Sequence, residues 1–169
     1  SERKYSPSER LRIITDLAEE IKRKPVKELL DREKGVRREP ANALLRDVVD
    51  KLRAGWLSDH AGELIEFLHS YEAAETDCIA VNRTWFEMVV EIILENAVQY
   101  IRHEAAPRLD ITTRRAGKML EISFADNGPG IPAERRRQLT EEPVIKEPNE
   151  SGHGIGLFLA RLVMETYEG

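Results

Sequence analysis

The sequence predicts an α/β fold, because apolar patterns with strand spacing and with helix spacing both occur along the chain. Residues 119–125 alternate apolar and polar side chains, which is typical of a half-buried strand. Residues 85–101 carry a broad apolar stripe at helical spacing, and residues 44–52 carry a second one. We therefore expect a sheet packed against helices.

The length and composition are those of one globular domain with a short appendage. The chain has 169 residues, 34% of them charged, and no apolar run approaches the length of a membrane span. No secretory signal opens the sequence, so we expect a soluble, cytoplasmic protein without direct membrane contact. The net charge of −5 argues against nucleic acid as a partner. Cys78, the single cysteine, is expected to pack as a small apolar residue in a reducing compartment.

The chain opens with a helical pattern that is followed by a polar break. Apolar residues fall at helical spacing through residues 11–30, with an interruption at Pro25. The stretch 34–40 is polar and ends in proline, which indicates a boundary. We divide the chain there into a helical segment or linker over residues 1–38 and a main domain over residues 39–169.

The main domain is predicted to contain further strands and helices. The predicted strands are residues 64–69, 78–81, 109–113 and 120–125, the last two joined by a hairpin turn at 114–118. The predicted helices after residue 101 are a short charged helix at 134–139 and a closing helix at 156–167. The irregular run between these two helices is predicted to be a lid.

Asp126 follows the strand over residues 119–125 and begins a glycine-rich turn. Gly128 and Gly130 permit positive φ angles and let a backbone approach a ligand closely, and Pro129 stiffens the turn. A carboxylate held at a strand end accepts a hydrogen bond from an exocyclic amine, such as N6 of adenine. The same residues also fit a surface turn in which aspartate and asparagine only shape the backbone.

A second glycine cluster, at Gly152, Gly154 and Gly156, runs directly into an apolar helical pattern. Glycines spaced by two leave consecutive backbone N–H groups exposed at the start of a helix. Those N–H groups and the helix dipole favour a polyphosphate. A site for a phosphorylated ligand is therefore predicted where this helix begins.

Three stretches, in this order and spacing, resemble the motifs of the GHKL ATPase superfamily. Glu95-Asn96-Ala97 is similar to its N box, Asp126–Gly130 to its G1 box and Gly152–Leu157 to its G2 box. That superfamily includes gyrase, the heat-shock chaperone, MutL and the sensor histidine kinases. The chain is most similar to the histidine kinase branch, because Tyr100 follows the N box and Ala160–Glu165 follow the G2 box.

The resemblance implies a Bergerat-type ATPase fold. This is an α/β two-layer sandwich with a mixed sheet covered by helices on one face, here preceded by a helical segment. The resemblance covers roughly residues 40–169. The family pattern continues with a final pair of strands, so the main domain is expected to lack its last strands. Residues 1–38 have two interpretations, the end of a dimerising helix and an ordinary solvated helix.

The resemblance also implies ATP and Mg²⁺ as cofactors. Asp126 would read adenine, Asn96 would hold Mg²⁺, and Tyr100 would line the nucleotide pocket. The residues expected to bind the nucleotide are Asn96, Tyr100, Asp126, Gly128, Gly130, Ile131, Gly152, His153, Gly154, Ile155, Gly156 and Leu157. Without the resemblance, Asn96 equally fits a capped or solvated asparagine.

Two positions depart from the family pattern. The family has an acid or an amide four residues before the motif asparagine, where this chain has Ile92. It usually has a basic residue three positions after that asparagine, where this chain has Gln99. Glu95 is the better placed of the neighbouring acids and is expected to be the catalytic base. We expect the departures to affect turnover more than nucleotide binding.

The predicted function is that of the ATP-binding catalytic domain of a sensor histidine kinase, which transfers the γ-phosphoryl group to a histidine in a two-component system. The expected partners are a histidine-bearing dimerisation domain or a response regulator, with a homodimer as one option. His60, His69 and His103 lack the context of a phosphoacceptor. The alternatives are a nucleotide-binding regulatory or pseudo-kinase module, an ATP-driven clamp as in the gyrase and MutL branches, and a kinase acting on serine.

Overall fold

A computed structural model of the protein describes residues 35–59, 65–136 and 156–167. The helices and strands in chain order are β1 (Val36–Pro40), α1 (Ala41–Asp59), β2 (Glu66–Tyr71), β3 (Cys78–Asn82), α2 (Arg83–Ile101), β4 (Arg108–Ala116), β5 (Met119–Asp126) and α3 (Gly156–Thr166). The predicted α/β fold is confirmed. None of the helices in the described ranges is long and apolar enough to cross a membrane. The helical segment predicted within residues 1–34 lies outside the described residues.

Three of the strands form a mixed sheet with β4 in its centre. β2 pairs with β4 in parallel, and β5 pairs with β4 antiparallel through a tight hairpin at Gly117 and Lys118. Along β4 the buried residues are Leu109, Ile111 and Thr113, so they share one face of the sheet. The mixed sheet therefore has one face turned towards the core.

The main hydrophobic core lies between that face and the first two helices. Its buried residues are Leu44, Leu45, Val48 and Val49 of α1, Phe86, Val90, Leu94, Ala97 and Ile101 of α2, and Leu109 and Ile111 of β4. Burying a side chain of this size stabilises the fold by about 1.5–3 kcal/mol relative to leaving it in water. The sheet is thus covered on one face by helices, as the sequence predicts.

A second apolar cluster joins α3 to α2. Its buried members are Val89 and Ile92 of α2 and Leu159, Ala160 and Val163 of α3. Since other residues of α2 belong to the main core, this helix is packed on two sides. It is the element against which the sheet, α1 and α3 are all arranged.

Strand β1 was not expected from the sequence, which predicts a polar break over residues 34–40. The strand pairs antiparallel with β3, from Val36 opposite Asn82 to Pro40 opposite Cys78. Four of its five residues are exposed, so backbone pairing rather than side-chain burial holds it, and no apolar pattern signals it. The domain boundary predicted between residues 38 and 39 falls inside this strand. The prediction that Cys78 packs as an apolar residue is wrong, because the residue is exposed on β3.

A buried polar contact ties α1 to the sheet. Asn42 and Thr113 are both fully buried, and the Thr113 hydroxyl donates to Asn42 Oδ1 over 2.7 Å. Asn42 Nδ2 donates to the carbonyl of Ala73 over 2.9 Å. Nearby, Arg46 forms an ion pair with Glu75 at 2.6 Å, and its hydrogen bonds lower the pKa of Glu75. These contacts fix the segment that follows β2.

Candidate functional site

The carboxyl-terminal half of α2 carries the first predicted motif. The helix starts at an N-cap, where Asn82 Oδ1 accepts a hydrogen bond from the backbone N–H of Trp85 at 3.3 Å. Asn96, near its other end, is half-buried, and its Nδ2 donates to the carbonyl of Ile92 at 2.8 Å. This bond uses the amide nitrogen and leaves Oδ1 without a donor among the described residues. An amide oxygen is the kind of ligand that Mg²⁺ accepts.

The second motif begins where β5 ends. Asp126 lies opposite the buried Leu109 of β4, so it belongs to the face of the sheet that the helices cover. Its side chain is nevertheless exposed, because it stands at the end of the strand. Asp126 Oδ1 accepts a hydrogen bond from the backbone N–H of Gly128 at 2.9 Å, which sets the direction of the carboxylate.

The two glycines of this turn have different roles. Gly130 has a φ angle of 75°, in the left-handed region that favours glycine. The expectation of a positive φ is wrong for Gly128, since among the described residues only Gly117 and Gly130 are glycines with positive φ. A side chain on Gly128 would instead meet Ile101 Cγ2 at 3.2 Å and Tyr100 Cβ at 3.6 Å. Gly128 therefore allows the turn to lie directly against the end of α2.

Asn127 anchors the same turn to the loop before β4. Arg108 donates its backbone N–H to Asn127 Oδ1 at 2.8 Å, and Asn127 Nδ2 donates to the carbonyl of Ala106 at 2.8 Å. The backbone N–H of Asn127 also donates to the Arg108 carbonyl at 3.2 Å. From the sequence alone, Asn127 is predicted only to shape the turn. The only sign of this anchor in the sequence is the asparagine directly after Asp126, because its amide can both donate and accept hydrogen bonds.

The described part of the third motif begins with Gly156, the first residue of α3. A methyl group placed on Gly156 would stand 3.0 Å from Ile92 Cγ2 and 3.8 Å from Asn96 Nδ2. The start of α3 therefore lies beside the motif asparagine. Leu157, the next residue, is half-buried. The other predicted residues of this motif, Gly152, His153, Gly154 and Ile155, lie outside the described residues.

Two further predicted residues lie around the second motif. Tyr100 is 49% exposed on α2, beside Gly128, where its ring is accessible to a ligand. Ile131 is 40% exposed, and its carbonyl accepts a hydrogen bond from Arg136 Nε at 2.9 Å. Arg136 belongs to a short helical turn over residues 133–136, the described part of the charged helix predicted at 134–139.

The positions that depart from the family pattern differ in their surroundings. Ile92 is buried with 7% of its surface exposed, and it packs against Leu159 and Val163 of α3. Gln99 is half-buried, and Glu95 is exposed one residue before Asn96. The helix position where the family has an acid or an amide is therefore part of an apolar contact in this protein.

The histidines in the described residues are His69 and His103. His69 is on β2, where its Nδ1 lies 2.9 Å from the Tyr71 hydroxyl. Partial burial lowers the pKa of His69. His103 is exposed after α2, and His60 lies outside the described residues. No group of three or more histidine, cysteine, aspartate and glutamate side chains able to hold a metal occurs in the described ranges.

Comparisons with known proteins show the family to which the chain belongs. Residues 81–169 match the family model described as histidine kinase-, DNA gyrase B-, and HSP90-like ATPase. The signal transduction histidine-protein kinase ArlS of Staphylococcus haemolyticus is 27% identical over 95 residues, which make up 54% of this chain and 20% of that protein. The chain spans about a fifth of the length of the first curated relatives that it matches.

Solved structures show the same fold. The catalytic domain of the histidine kinase ThkA aligns with a TM-score of 0.63 and 20% identity, over 77% of this chain and 80% of that one. Full-length ShkA, solved in complex with AMPPNP, aligns with a TM-score of 0.62 and 18% identity, over 97% of this chain and 35% of that one. Because the family model covers more than half of the chain, the protein belongs to the family of histidine kinase-, DNA gyrase B- and HSP90-like ATPases.

Proposed function

We propose that the chain is the ATP-binding catalytic domain of a cytoplasmic sensor histidine kinase. It transfers the γ-phosphoryl group of ATP to a histidine on a dimerisation domain, as part of a two-component system that includes a response regulator. The observation that carries the proposal is the convergence of three motifs on one helix. Gly156 lies beside Asn96, and Gly128 lies beside Tyr100 one helical turn further on.

Asp126 is the residue that recognises the base. One of its carboxylate oxygens is held by the Gly128 N–H, and within the described residues the other accepts no hydrogen bond. A carboxylate oriented in this way accepts a hydrogen bond from the exocyclic amine of adenine. Tyr100, exposed beside the turn, supplies an aromatic wall for the base.

Asn96 is the residue that would hold Mg²⁺. One of its two amide hydrogens is donated to the Ile92 carbonyl, and its oxygen accepts no hydrogen bond among the described residues, so the oxygen is the atom proposed to bind the ion. Mg²⁺ is usually bound in proteins through one or two carboxylates together with substrate phosphates and water. Here the amide oxygen of Asn96 would take the place of a carboxylate, since no acidic cluster able to hold a metal occurs in the described ranges. When bound, the ion would neutralise phosphate charge.

Backbone N–H groups at the start of α3 are the phosphate-binding groups. Gly152, Gly154 and Gly156 leave room for a close approach of phosphate oxygens, and the helix dipole favours negative charge there. Phosphoryl transfer depends on positioning and charge neutralisation more than on covalent chemistry by the protein. Glu95, beside Asn96, is the proposed base for the acceptor histidine.

A second candidate function is a nucleotide-binding regulatory or pseudo-kinase module. The burial of Ile92 against Leu159 favours it, because an apolar side chain at this position neither binds a metal nor activates a nucleophile. In such a module ATP binding would hold α3 in place without phosphoryl transfer. The AMPPNP complex of ShkA, a protein with the same fold, supports nucleotide binding in both candidates.

Calorimetry of Mg²⁺-ATP binding separates the candidates, with transfer to a supplied dimerisation domain followed in parallel. Asp126→Asn should abolish binding or weaken it strongly, whereas Asp110→Asn should leave it unchanged, because Asp110 is opposite Ala125 on the other face of the sheet. Binding with transfer supports the kinase. Binding without transfer supports the regulatory module, and the absence of binding by the parent chain contradicts both.

A further inference from the structure

Asn127 lies in the turn between two residues of the proposed nucleotide site. On one side of it stands Asp126, the last residue of β5, and on the other stands Gly128, which lies against the end of α2. Of the residues that Asn127 contacts, Ala106 lies in the loop between α2 and β4, and Arg108 is the first residue of β4. Asn127 therefore links the end of β5 to the connection that leaves α2.

The link consists of three hydrogen bonds that fix both ends of the Asn127 residue. Its side chain uses the oxygen and the nitrogen at the same time, each at 2.8 Å, and its backbone N–H donates to the Arg108 carbonyl at 3.2 Å. The asparagine amide carries its acceptor and its donors on separate atoms, so it accepts from one backbone N–H and donates to another carbonyl at the same time. An aspartate or a serine would keep only part of this arrangement.

These bonds lie at the surface, since Asn127 is exposed. A hydrogen bond between exposed groups contributes little net free energy to folding, because water replaces it in the unfolded chain. Satisfying a buried polar group therefore does not explain the three bonds. The three bonds do, however, restrict the conformation of the backbone between Asp126 and Gly128, and this backbone positions both the carboxylate and the Gly128 N–H.

We propose that Asn127 is a positioning residue for recognition of the adenine amine. It does not touch the nucleotide. It holds the turn so that the Gly128 N–H stays on Asp126 Oδ1 and the other carboxylate oxygen stays directed to the exocyclic amine. Without the Asn127 side chain the turn would be anchored only by the backbone bond from residue 127 to the Arg108 carbonyl and by the strand pairing up to Asp126, and the carboxylate would sample other directions. The inference rests on the proposed function, because it requires ATP to bind at this turn.

The test compares two nucleotides on the full chain by calorimetry in the presence of Mg²⁺. One is ATP, and the other is purine riboside triphosphate, which lacks the 6-amino group. We expect the parent to prefer ATP by about tenfold, as one hydrogen bond to a charged group allows. Asn127→Ala should weaken ATP binding by about tenfold and binding of the analogue by less than about twofold.

The matched control is Asn82→Ala, which removes another asparagine that bonds to backbone, at the opposite end of α2. It should lower the melting temperature and leave the preference between the two nucleotides unchanged. Equal losses for ATP and the analogue in Asn127→Ala would overturn the inference, because a general loss of structure acts on both. Retention of the full preference in Asn127→Ala would overturn it as well.

A second variant keeps the test decisive if Asn127→Ala does not fold. Asn127→Ser adds no charge, and its shorter side chain keeps at most part of the bonding to the Arg108 N–H and the Ala106 carbonyl. The same selective loss for ATP is expected. Failure of both variants to fold would assign Asn127 to the fold and not to the site. If the parent binds neither nucleotide, the proposed function itself fails. If instead the parent prefers ATP and the variant keeps the same preference, only the inference about Asn127 fails.

Discussion

Gly156 of α3 lies against Ile92 of α2 so closely that a methyl group on the glycine would be 3.0 Å from Ile92 Cγ2. This distance is shorter than an ordinary contact between carbon atoms, which is about 3.5–4.0 Å. The same methyl group would be 3.8 Å from the side-chain nitrogen of Asn96. An apolar side chain one turn before the motif asparagine thus sets where α3 begins.

Replacing Gly156 with alanine should therefore weaken nucleotide binding. The added methyl group pushes the start of α3 away from α2, so Gly156→Ala should lower ATP affinity about threefold to tenfold. Ile92→Leu removes the β-branched methyl group at nearly constant volume, and it should restore part of the affinity in the double variant. Titration calorimetry of the two single variants and the double variant measures this coupling.

Gly55→Ala serves as the control for the effect of glycine replacement in a helix. Gly55 lies in α1, and no atom lies within 4 Å of the added methyl group. This substitution should leave ATP affinity unchanged and raise stability by up to about 1 kcal/mol. Equal effects of Gly55→Ala and Gly156→Ala on affinity would contradict the proposed contact.

Gly130→Ala tests the backbone of the turn that follows Asp126. Gly130 has a φ of 75° with no atom within 4 Å of an added methyl group, so the cost is purely conformational, about 1–2 kcal/mol. Gly117→Ala in the β4–β5 hairpin has the same properties, with a φ of 63°. Both variants should lose similar stability in urea unfolding, but only Gly130→Ala should also weaken ATP binding. A loss of binding in both would point to a global effect.

Thr113→Val should destabilise the fold without affecting the nucleotide site. It removes the hydroxyl that donates to the fully buried Asn42 and leaves Asn42 Oδ1 unsatisfied, at a cost of about 1–3 kcal/mol. The free energy of unfolding in urea measures this cost. Thr112→Val, at the neighbouring position on the other face of β4, should cost much less. A smaller loss for Thr113→Val than for Thr112→Val would be inconsistent with the buried contact.

The ion pair between Arg46 and Glu75 gives the stability a dependence on pH. The pKa of Glu75 is lowered below its usual 4.5, mainly by the hydrogen bonds that Arg46 donates to the carboxylate. Folding therefore favours the charged carboxylate, so the contribution is fully present above pH 4.5 and is lost as the pH falls through the lowered value. Melting temperatures of the parent and of Glu75→Gln should differ at pH 7 and converge in acid. A constant difference across this range would exclude the ion pair as its source.

Periodicity predicted the elements that bury a regular face. The alternation over residues 119–125 and the stripe over residues 85–101 correspond to β5 and α2, because burial on one side leaves a repeating pattern in the sequence. β1 had no such pattern, since it is held by backbone pairing with β3. Its position depends on a strand about forty residues away, which no local pattern encodes.

The motif residues were predicted more completely than the contacts that hold them. The sequence indicated Asn96, Asp126 and Gly156 through their family resemblance. It did not indicate that Gly128 allows a close approach to α2 rather than a positive φ, because the contact depends on how the turn meets that helix. Nor did it show that Ile92 packs on α3, since the partners of a side chain across two helices are set by tertiary packing.

The packing of α2 on two sides has a consequence for how the molecule opens. Local unfolding that detaches α3 exposes Val89 and Ile92 but leaves the main core intact, whereas unfolding of α2 itself requires both clusters to separate. Amide protons in the middle of α2 should then exchange with solvent only when the whole chain unfolds. Those of α3 should exchange through a smaller, independent opening, and a nucleotide that bridges α2 and α3 should slow that exchange selectively.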